Sequence, residues 1–196
     1  MSKPSNKQTI IDAGLQVLFR KGYHGAGVRD VVAAAKVPQG SFTNHFASKE
    51  AFAGEVLELY FARTRDAVHQ ALDDRSKPPR QRLLDYFALI TERLEADGFT
   101  RGCLIGDFSI ELSQTSEVLR TQLADIYRVW LEPFEQCISE GQASGNIPSD
   151  FAPADLAEFL ISAWEGAILR MKVEQNAAPL LRFRQVVSAT VLRPGH

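Results

Sequence analysis

The chain has 196 residues, 45% of them hydrophobic and 23% charged, with a formal net charge of −2, which fits a globular protein of one large or two small domains. No apolar run approaches the roughly 18 residues of a membrane span, so we expect no transmembrane helix. Two cysteines do not make a disulfide framework and the N-terminus lacks a secretory signal, so we expect a cytoplasmic protein.

Positive charge is concentrated at the start of the chain. Residues 1–50 hold seven Lys or Arg and three Asp or Glu, a net charge of +4, whereas the remainder holds 15 basic and 21 acidic residues, a net charge of −6. We call residues 1–50 the head of the chain. Its positive charge, next to an acidic remainder, suggests that the head binds a polyanion such as nucleic acid. Chance scatter of surface charge is the alternative that the charge count alone leaves open.

Apolar residues recur at helical spacing along the whole chain, and sustained strand alternation is almost absent. The pattern therefore predicts an all-α protein of about nine helices. The first helix is expected to stop at Gly22, in the turn "RKGYHG". Two short helices follow over residues 28–35 and 38–46, and a long fourth helix runs from a Ser48 cap to about Leu72.

Two Pro- and Gly-rich breaks divide the rest of the chain, at "DDRSKPPRQ" and "SGNIPSDFAP". Apolar stripes between and after these breaks predict five more helices. They are expected over residues 80–96, 103–113, 116–141, 154–174 and 180–192.

The second and third helices are short and joined by a tight turn, which is typical of a helix-turn-helix. In that motif the second helix enters the major groove of DNA, where Gln and Asn pair with adenine edges. The candidate base-contacting residues are Gln39, Gly40, Ser41, Thr43, Asn44 and His45. The candidate phosphate-contacting residues are Arg29, Lys36 and Lys49. A plain pair of solvated helices is the alternative that the motif alone leaves open.

Residues 10–52 resemble the N-terminal DNA-binding domain of the TetR (tetracycline repressor) family of bacterial regulators. The first helix of that family ends in Phe, charged residues and Gly-Tyr, which stand here as "FRKGY". Its helix-turn-helix closes on a pattern that stands here as "GSFTNHF", followed by "SKE" at residues 48–50. In this pattern Phe42 and Phe46 lie four residues apart, so we expect both to pack inward.

Two positions depart from the family pattern. Thr43 stands where the family usually carries a tyrosine that touches backbone phosphate. Lys36 replaces the usual glycine of the turn, which commonly holds a left-handed backbone at a cost to lysine on the order of 1 kcal/mol. Both departures bear on the phosphate contacts and leave the overall resemblance intact.

The resemblance implies that the remaining helices form a ligand-binding and dimerisation domain, with residues 1–50 as the DNA-binding domain and residues 51–196 as the rest. The apolar residues of the last two helices spread over more than one stripe, so a two-fold interface between copies would bury the surplus. The candidate interface residues are Phe159, Ala163, Ile168, Phe183, Val187 and Val191. A central position for both helices in a monomer is the alternative.

A Gly-Cys-Leu start to the sixth helix, at residues 102–104, resembles one branch of the family in which some members respond to electrophiles or oxidants through such a cysteine. A helix N-terminus and Arg101 both favour the thiolate of Cys103, whereas a buried apolar role is the alternative. Cys137 is expected in the core. The candidates for binding an effector or sensing are Phe87, Cys103, Asp107, Tyr127, Trp130, Trp164 and Arg170, each of which would otherwise be an ordinary packing or surface residue.

The sequence therefore predicts a homodimeric transcriptional regulator, expected to repress, that binds double-stranded operator DNA and responds to a small molecule or to modification of Cys103. We expect no cofactor, no metal and no membrane association. An enzyme is disfavoured because the sequence lacks a nucleophile elbow, a phosphate-binding loop and metal-ligand spacing. A helical dimer that binds a small molecule or a protein without DNA is the remaining alternative.

Overall fold

The computed structural model describes residues 6–194, which form nine α-helices and contain no strand, so the predicted all-α class is confirmed over this part of the chain. The helices are α1 (Asn6–Gly25), α2 (Val28–Ala35), α3 (Gly40–Thr43), α4 (Lys49–Leu72), α5 (Pro79–Ala96), α6 (Leu104–Leu112), α7 (Glu117–Ala143), α8 (Pro153–Glu174) and α9 (Ala178–Ala189).

Helix α3 is shorter than the predicted span of residues 38–46. Hydrogen bonds from Ser41 N to Pro38 O (2.9 Å) and from His45 N to Phe42 O (3.0 Å) join residues three apart, so both flanks are tighter turns. A helix of this length has few hydrogen bonds to propagate it, and Pro38 contributes no N–H group. The predicted length was therefore wrong, although Gln39 keeps a helical backbone (φ −57°, ψ −37°).

The end of α1 is bent at the glycine where the sequence predicts a stop. The helical hydrogen-bond pattern continues to Gly25, but Gly22 leaves the helical conformation, with φ 68° and ψ 176°. A positive φ of this kind is accessible to glycine at little cost.

The described residues divide into two compact units. The residues up to Arg63 form the first unit together with Leu104–Ala124. Thr64–Cys103 and the residues from Asp125 onward form the second. The functional division after residue 50 stays a prediction, and the first unit places α6 and the start of α7 with the helix-turn-helix.

Three phenylalanine rings form the core of the first unit beneath α3. The ring centroids of Phe42, Phe46 and Phe52 lie 5.1–5.2 Å from one another, and all three side chains are buried, which confirms the inward packing predicted for Phe42 and Phe46. A Cβ atom on Gly14 of α1 would lie 2.1 Å from Phe52 Cζ, so the Phe52 ring fits only against a glycine. This packing fixes α3 against α1 and the first turn of α4.

A second aromatic cluster forms the core of the other unit. The Phe87 ring on α5 lies 5.0 Å from Trp164 on α8 and 4.9 Å from Phe183 on α9, measured between centroids. Trp164 and Phe183 are 5.1 Å apart, so the three rings close a triangle. This cluster packs α8 and α9 onto α5.

A buried arginine joins three helices of the second unit. Arg82 on α5 is 3% exposed and donates to the carbonyl oxygen of Leu72 at the end of α4 (2.7 Å) and to Glu140 on α7 (2.5 Å). Arg75 donates to the same Glu140 carboxylate. The hydrogen bond from Arg75, followed in size of effect by the one from Arg82, lowers the pKa of Glu140 below its ordinary value.

Within residues 6–194, no helix combines the length and the apolar character that crossing a bilayer requires.

Replacing Glu140 by Gln is expected to reduce the free energy of unfolding at pH 7 by about 1–2 kcal/mol, because Arg82 loses its charged acceptor. Since the folded-state pKa of Glu140 is lowered, its contribution is complete above the unfolded-state pKa and is lost as the pH falls through the folded-state pKa. The difference between wild type and Glu140→Gln, measured by urea denaturation, should therefore shrink as the pH falls below about 4. Glu135→Gln, an exposed neighbour on α7, is the control and should match wild type. A difference that is constant from pH 7 to pH 3 would contradict the charge-based explanation.

Candidate functional site

The polar residues of the predicted DNA-contacting segment lie on the outside of the first unit. Gln39, Gly40, Thr43, Asn44 and His45 are exposed. Ser41 is half-buried, and no atom of another element lies within 4 Å of the position that a Cβ atom on Gly40 would take. Since Phe42 and Phe46 hold the opposite face, the segment presents amides, hydroxyls and an imidazole to solvent.

The hydroxyl of Thr43 is already used within α3. It donates to the carbonyl oxygen of Gly40 at 3.1 Å. Its lone pairs remain as acceptors, so Thr43 does not reproduce the donating, extended hydroxyl of a tyrosine at this position.

Lys36 ends α2 in the left-handed conformation that the family pattern implies for this position, with φ 55° and ψ 41°. The N–H group of Lys36 donates to Ala33 O (3.2 Å), and that of Val37 donates to Val32 O (3.1 Å), which together close the C-terminal end of the helix. The Lys36 side chain is exposed, as is that of Arg29 on the same helix.

Lys49, the first residue of α4, is half-buried. Its Nζ lies 4.4 Å from the centroid of the Tyr23 ring, within the range of a cation–π contact. Burial lowers the pKa of the Lys49 ammonium, and the nearby Glu111 carboxylate partly opposes this shift. The ammonium therefore has a defined position at the end of the exposed segment.

Glu111 of α6 is a residue of this region that sequence analysis missed. Its Oε1 accepts from Tyr23 N (3.2 Å), and its Oε2 accepts from His24 N (3.0 Å). Tyr23 itself is part of the "FRKGY" motif, but no motif or spacing connects that motif to a glutamate 88 residues away.

The effector candidates are brought together only in part. Phe87 and Trp164 share the aromatic core of the second unit, and Tyr127 stacks on Trp130 with centroids 6.0 Å apart. Cys103, in the same unit, is 6% exposed. Asp107 belongs to the first unit, on α6. Arg170 is exposed on α8, where it donates to Glu174 at 2.5 Å, and it borders a groove between α8 and α9.

Helices α8 and α9 border an open, mainly apolar groove of about 330 Å³. Of the residues predicted for the dimer interface, Phe159, Ala163, Phe183 and Val187 line this groove. Phe159 is 51% exposed. Ile168 is buried and does not line the groove, and Val191 lies beyond the end of α9.

Within the described residues, no group of three His, Cys, Asp or Glu side chains is arranged to hold a metal ion.

Two family models match separate parts of the chain. One, described as "Bacterial regulatory proteins, tetR family", matches residues 10–56. The other, described as "Tetracyclin repressor-like, C-terminal domain", matches residues 79–187, which is more than half of the chain.

The chain belongs to the TetR family of bacterial regulatory proteins.

Relatives in the TetR family are similar over almost their whole length. The chain is 48% identical to the HTH-type transcriptional repressor DhaR of Mycobacterium sp. (strain GP1) over 192 residues, which cover 98% of this chain and 95% of DhaR. The crystal structure of regulatory protein TetR from Rhodobacter sphaeroides is 35% identical, covers 93% of this chain and 96% of that chain, and superposes with a TM-score of 0.89. The crystal structure of Escherichia coli NemR in its reduced form is 25% identical in sequence, covers 97% of this chain and 100% of the NemR chain, and superposes with a TM-score of 0.83. The chain is therefore a DNA-binding transcriptional regulator of the TetR family.

In this TetR-family head, Lys36→Gly is expected to raise the free energy of unfolding by about 0.5–1 kcal/mol, because glycine removes the left-handed strain but adds some unfolded-state entropy. Lys36→Ala loses the same ammonium and keeps a Cβ atom in the left-handed region, so it should give no gain. Urea denaturation of the two variants separates the two effects. Equal stabilisation by Lys36→Ala would show that charge, and not backbone strain, is what the substitution relieves.

Proposed function

We propose that the protein is a homodimeric repressor that reads a pseudo-palindromic operator with the segment Gln39–His45 and is released by a small molecule or by modification of Cys103. The observation that carries this proposal is the division of that segment into a buried aromatic face and an exposed polar face. The family membership supplies the class of ligand, double-stranded operator DNA.

The chemistry of the exposed face suits base edges. The side-chain amides of Gln39 and Asn44 each offer a donor and an acceptor, the pair that adenine presents in the major groove. Gly40 leaves room for a close approach of the backbone to DNA. Arg29, Lys36 and Lys49 surround this face with cations that we assign to phosphates, which position the helix but do not read sequence.

The groove between α8 and α9 supports the assignment of this face to dimer formation. Phe159 and Val186, both about half exposed, lie on it beside the small residues Ala163 and Gly166, which permit close approach of a second helix pair. A two-fold axis through this face would bury apolar side chains against their own copies. A homodimer places two heads to read half-sites about one helical turn apart, roughly 34–36 Å on the DNA.

The second unit contains most of the residues that we propose to bind the effector. We assign four aromatic residues to an apolar region that binds the effector: Phe87, Tyr127, Trp130 and Trp164. Asp107 and Arg170 stay candidates for contacting the effector. Asp107 belongs to the first unit, and Arg170 is exposed on α8. The Lys172 ammonium lies 3.6 Å from the position that a Cβ atom on Gly102 would take, so a cation lies close to the residue that precedes Cys103.

The domain assignments follow from the same proposal. We assign residues 1–50 to DNA binding and residues 51–196 to effector binding and dimer formation, in the cytoplasm and without a cofactor. The relatives named above are regulators and repressors, and none carries the name of an enzyme.

The proposal is tested by fluorescence anisotropy with DNA from upstream of the protein's own coding region and with a scrambled fragment. We expect specific binding that weakens steeply with salt, and at least a tenfold loss of affinity after treatment with N-ethylmaleimide. Cys103→Ser should abolish this response. Cys137→Ser should retain it, because burial raises the pKa of the Cys137 thiol to about 11 and leaves little thiolate at neutral pH. No preference for the upstream fragment would favour a helical dimer that does not bind DNA, and an intact response in Cys103→Ser would exclude that cysteine as the sensor.

The dimer interface is tested by Phe159→Asp, which would place two carboxylates in the apolar groove. Sedimentation velocity at micromolar concentration should show a dimer for wild type and a monomer for the variant, because unpaired buried charge is costly. Phe151→Asp is the matched control, since Phe151 is 56% exposed but does not line the groove, and it should remain dimeric. A dimeric Phe159→Asp would place the interface elsewhere.

A further inference from the structure

The end of α1 is held by a carboxylate that comes from α6. Glu111 accepts hydrogen bonds from two consecutive backbone N–H groups, those of Tyr23 and His24, one on each carboxylate oxygen. The imidazole Nε2 of His24 also lies 3.3 Å from the backbone oxygen of Glu111. Hydrogen bonds to a charged acceptor are stronger than those to a neutral one, so this is a firm attachment between the two helices.

The attachment depends on a glycine at position 22. A Cβ atom on Gly22 would lie 2.5 Å from Glu111 Oε1, closer than non-bonded atoms approach, and the φ of 68° is itself costly for any other residue. The bend of α1 and the carboxylate of α6 therefore fit each other.

The ring of Tyr23 extends the attachment to α4. One edge contact joins it to Phe108 of α6, with ring centroids 6.0 Å apart and planes at 79°. Its face carries the Lys49 ammonium, 4.4 Å from the centroid. A side chain of α6 thus fixes the residue on which the proposed phosphate contact rests.

Three further hydrogen bonds join the segment 104–124 to the first half of α4. Ser116 donates to Glu50 at 2.5 Å. The side-chain amide of Gln122 donates to the carbonyl oxygen of Gly54 (3.1 Å) and to Glu58 (2.7 Å). These contacts explain why α6 and the start of α7 form one compact unit with the helix-turn-helix.

We infer that Glu111 is a positioning residue for DNA binding: it holds the Tyr23–His24 turn so that Tyr23 aims the Lys49 ammonium at a phosphate. This inference rests on the proposed function and adds a route for its regulation, since α6 follows Cys103 directly in the chain. A movement of α6 by about 1 Å takes hydrogen bonds of 3.0–3.2 Å beyond the usual range and frees the turn that supports Lys49.

The test compares full-length variants for binding to the upstream fragment over a series of salt concentrations. Glu111→Ala and Lys49→Ala should each weaken binding about tenfold and reduce the slope of log K against log salt by about one, the change expected for one lost phosphate contact. The double variant should be no weaker than either single one, because both remove the same contact. Glu111→Gln keeps one acceptor oxygen and should fall between wild type and Glu111→Ala.

Glu117→Ala is the control for charge, because it removes a carboxylate from the same unit whose side chain is 87% exposed, and it should bind like wild type. Thermal unfolding of each variant separates a loss of fold from a loss of positioning, and Glu111→Gln supplies the test if Glu111→Ala is unfolded. Full affinity and an unchanged salt slope in Glu111→Ala, or additive losses in the double variant, would overturn the inference alone. A wild type that shows no salt-dependent DNA binding would overturn the proposed function and the inference together.

Discussion

The packing of the Phe52 ring against Gly14 is the constraint on which the display of the DNA-contacting segment depends. Helix α3 has one turn and too few hydrogen bonds to persist alone, so its position comes from Phe42 and Phe46, whose rings meet Phe52. Two ion pairs, Lys7–Glu55 and Arg63–Asp12, join α4 to α1 on the exposed side of the same core. The polar face of α3 is therefore held by apolar contacts made on its other side.

Polar contacts, in contrast, join elements that are distant in sequence. Glu111 binds the end of α1, and Arg82 binds both the end of α4 and Glu140 of α7. Arg82 satisfies the carbonyl oxygen of Leu72 at the C-terminal end of α4, which the helix cannot satisfy itself. Glu111 instead accepts from the two N–H groups that directly follow the bend of α1 at Gly22. A displacement of about 1 Å breaks such a hydrogen bond, whereas apolar contacts weaken less over the same distance. The hydrogen bonds therefore make the structure sensitive to small movements of the helices, and the apolar core makes it stable.

Local sequence rules predicted most of the helices and failed where the outcome depends on distant residues. The span of α2 and the inward turn of Phe42 and Phe46 follow from helical spacing. The true length of α3 does not, because the balance between α-helical and tighter turns at its ends is set by packing. Glu111 gave no signal, since nothing in the spacing of α6 points to the turn at Tyr23. On α8, the wide spread of apolar residues around the helix indicated an interface, but it did not distinguish the exposed Phe159 from the buried Ile168.

The contact between α1 and α4 also limits how relatives of this protein evolve. Because the Phe52 ring occupies the volume that a methyl group at position 14 would need, alanine there is compatible only with a smaller ring partner or a shifted helix. Residue sizes at positions 14 and 52 should thus covary among homologues. Recombination between distant members would produce a clash where a larger residue at position 14 is inherited together with Phe52, and a cavity in the reverse combination.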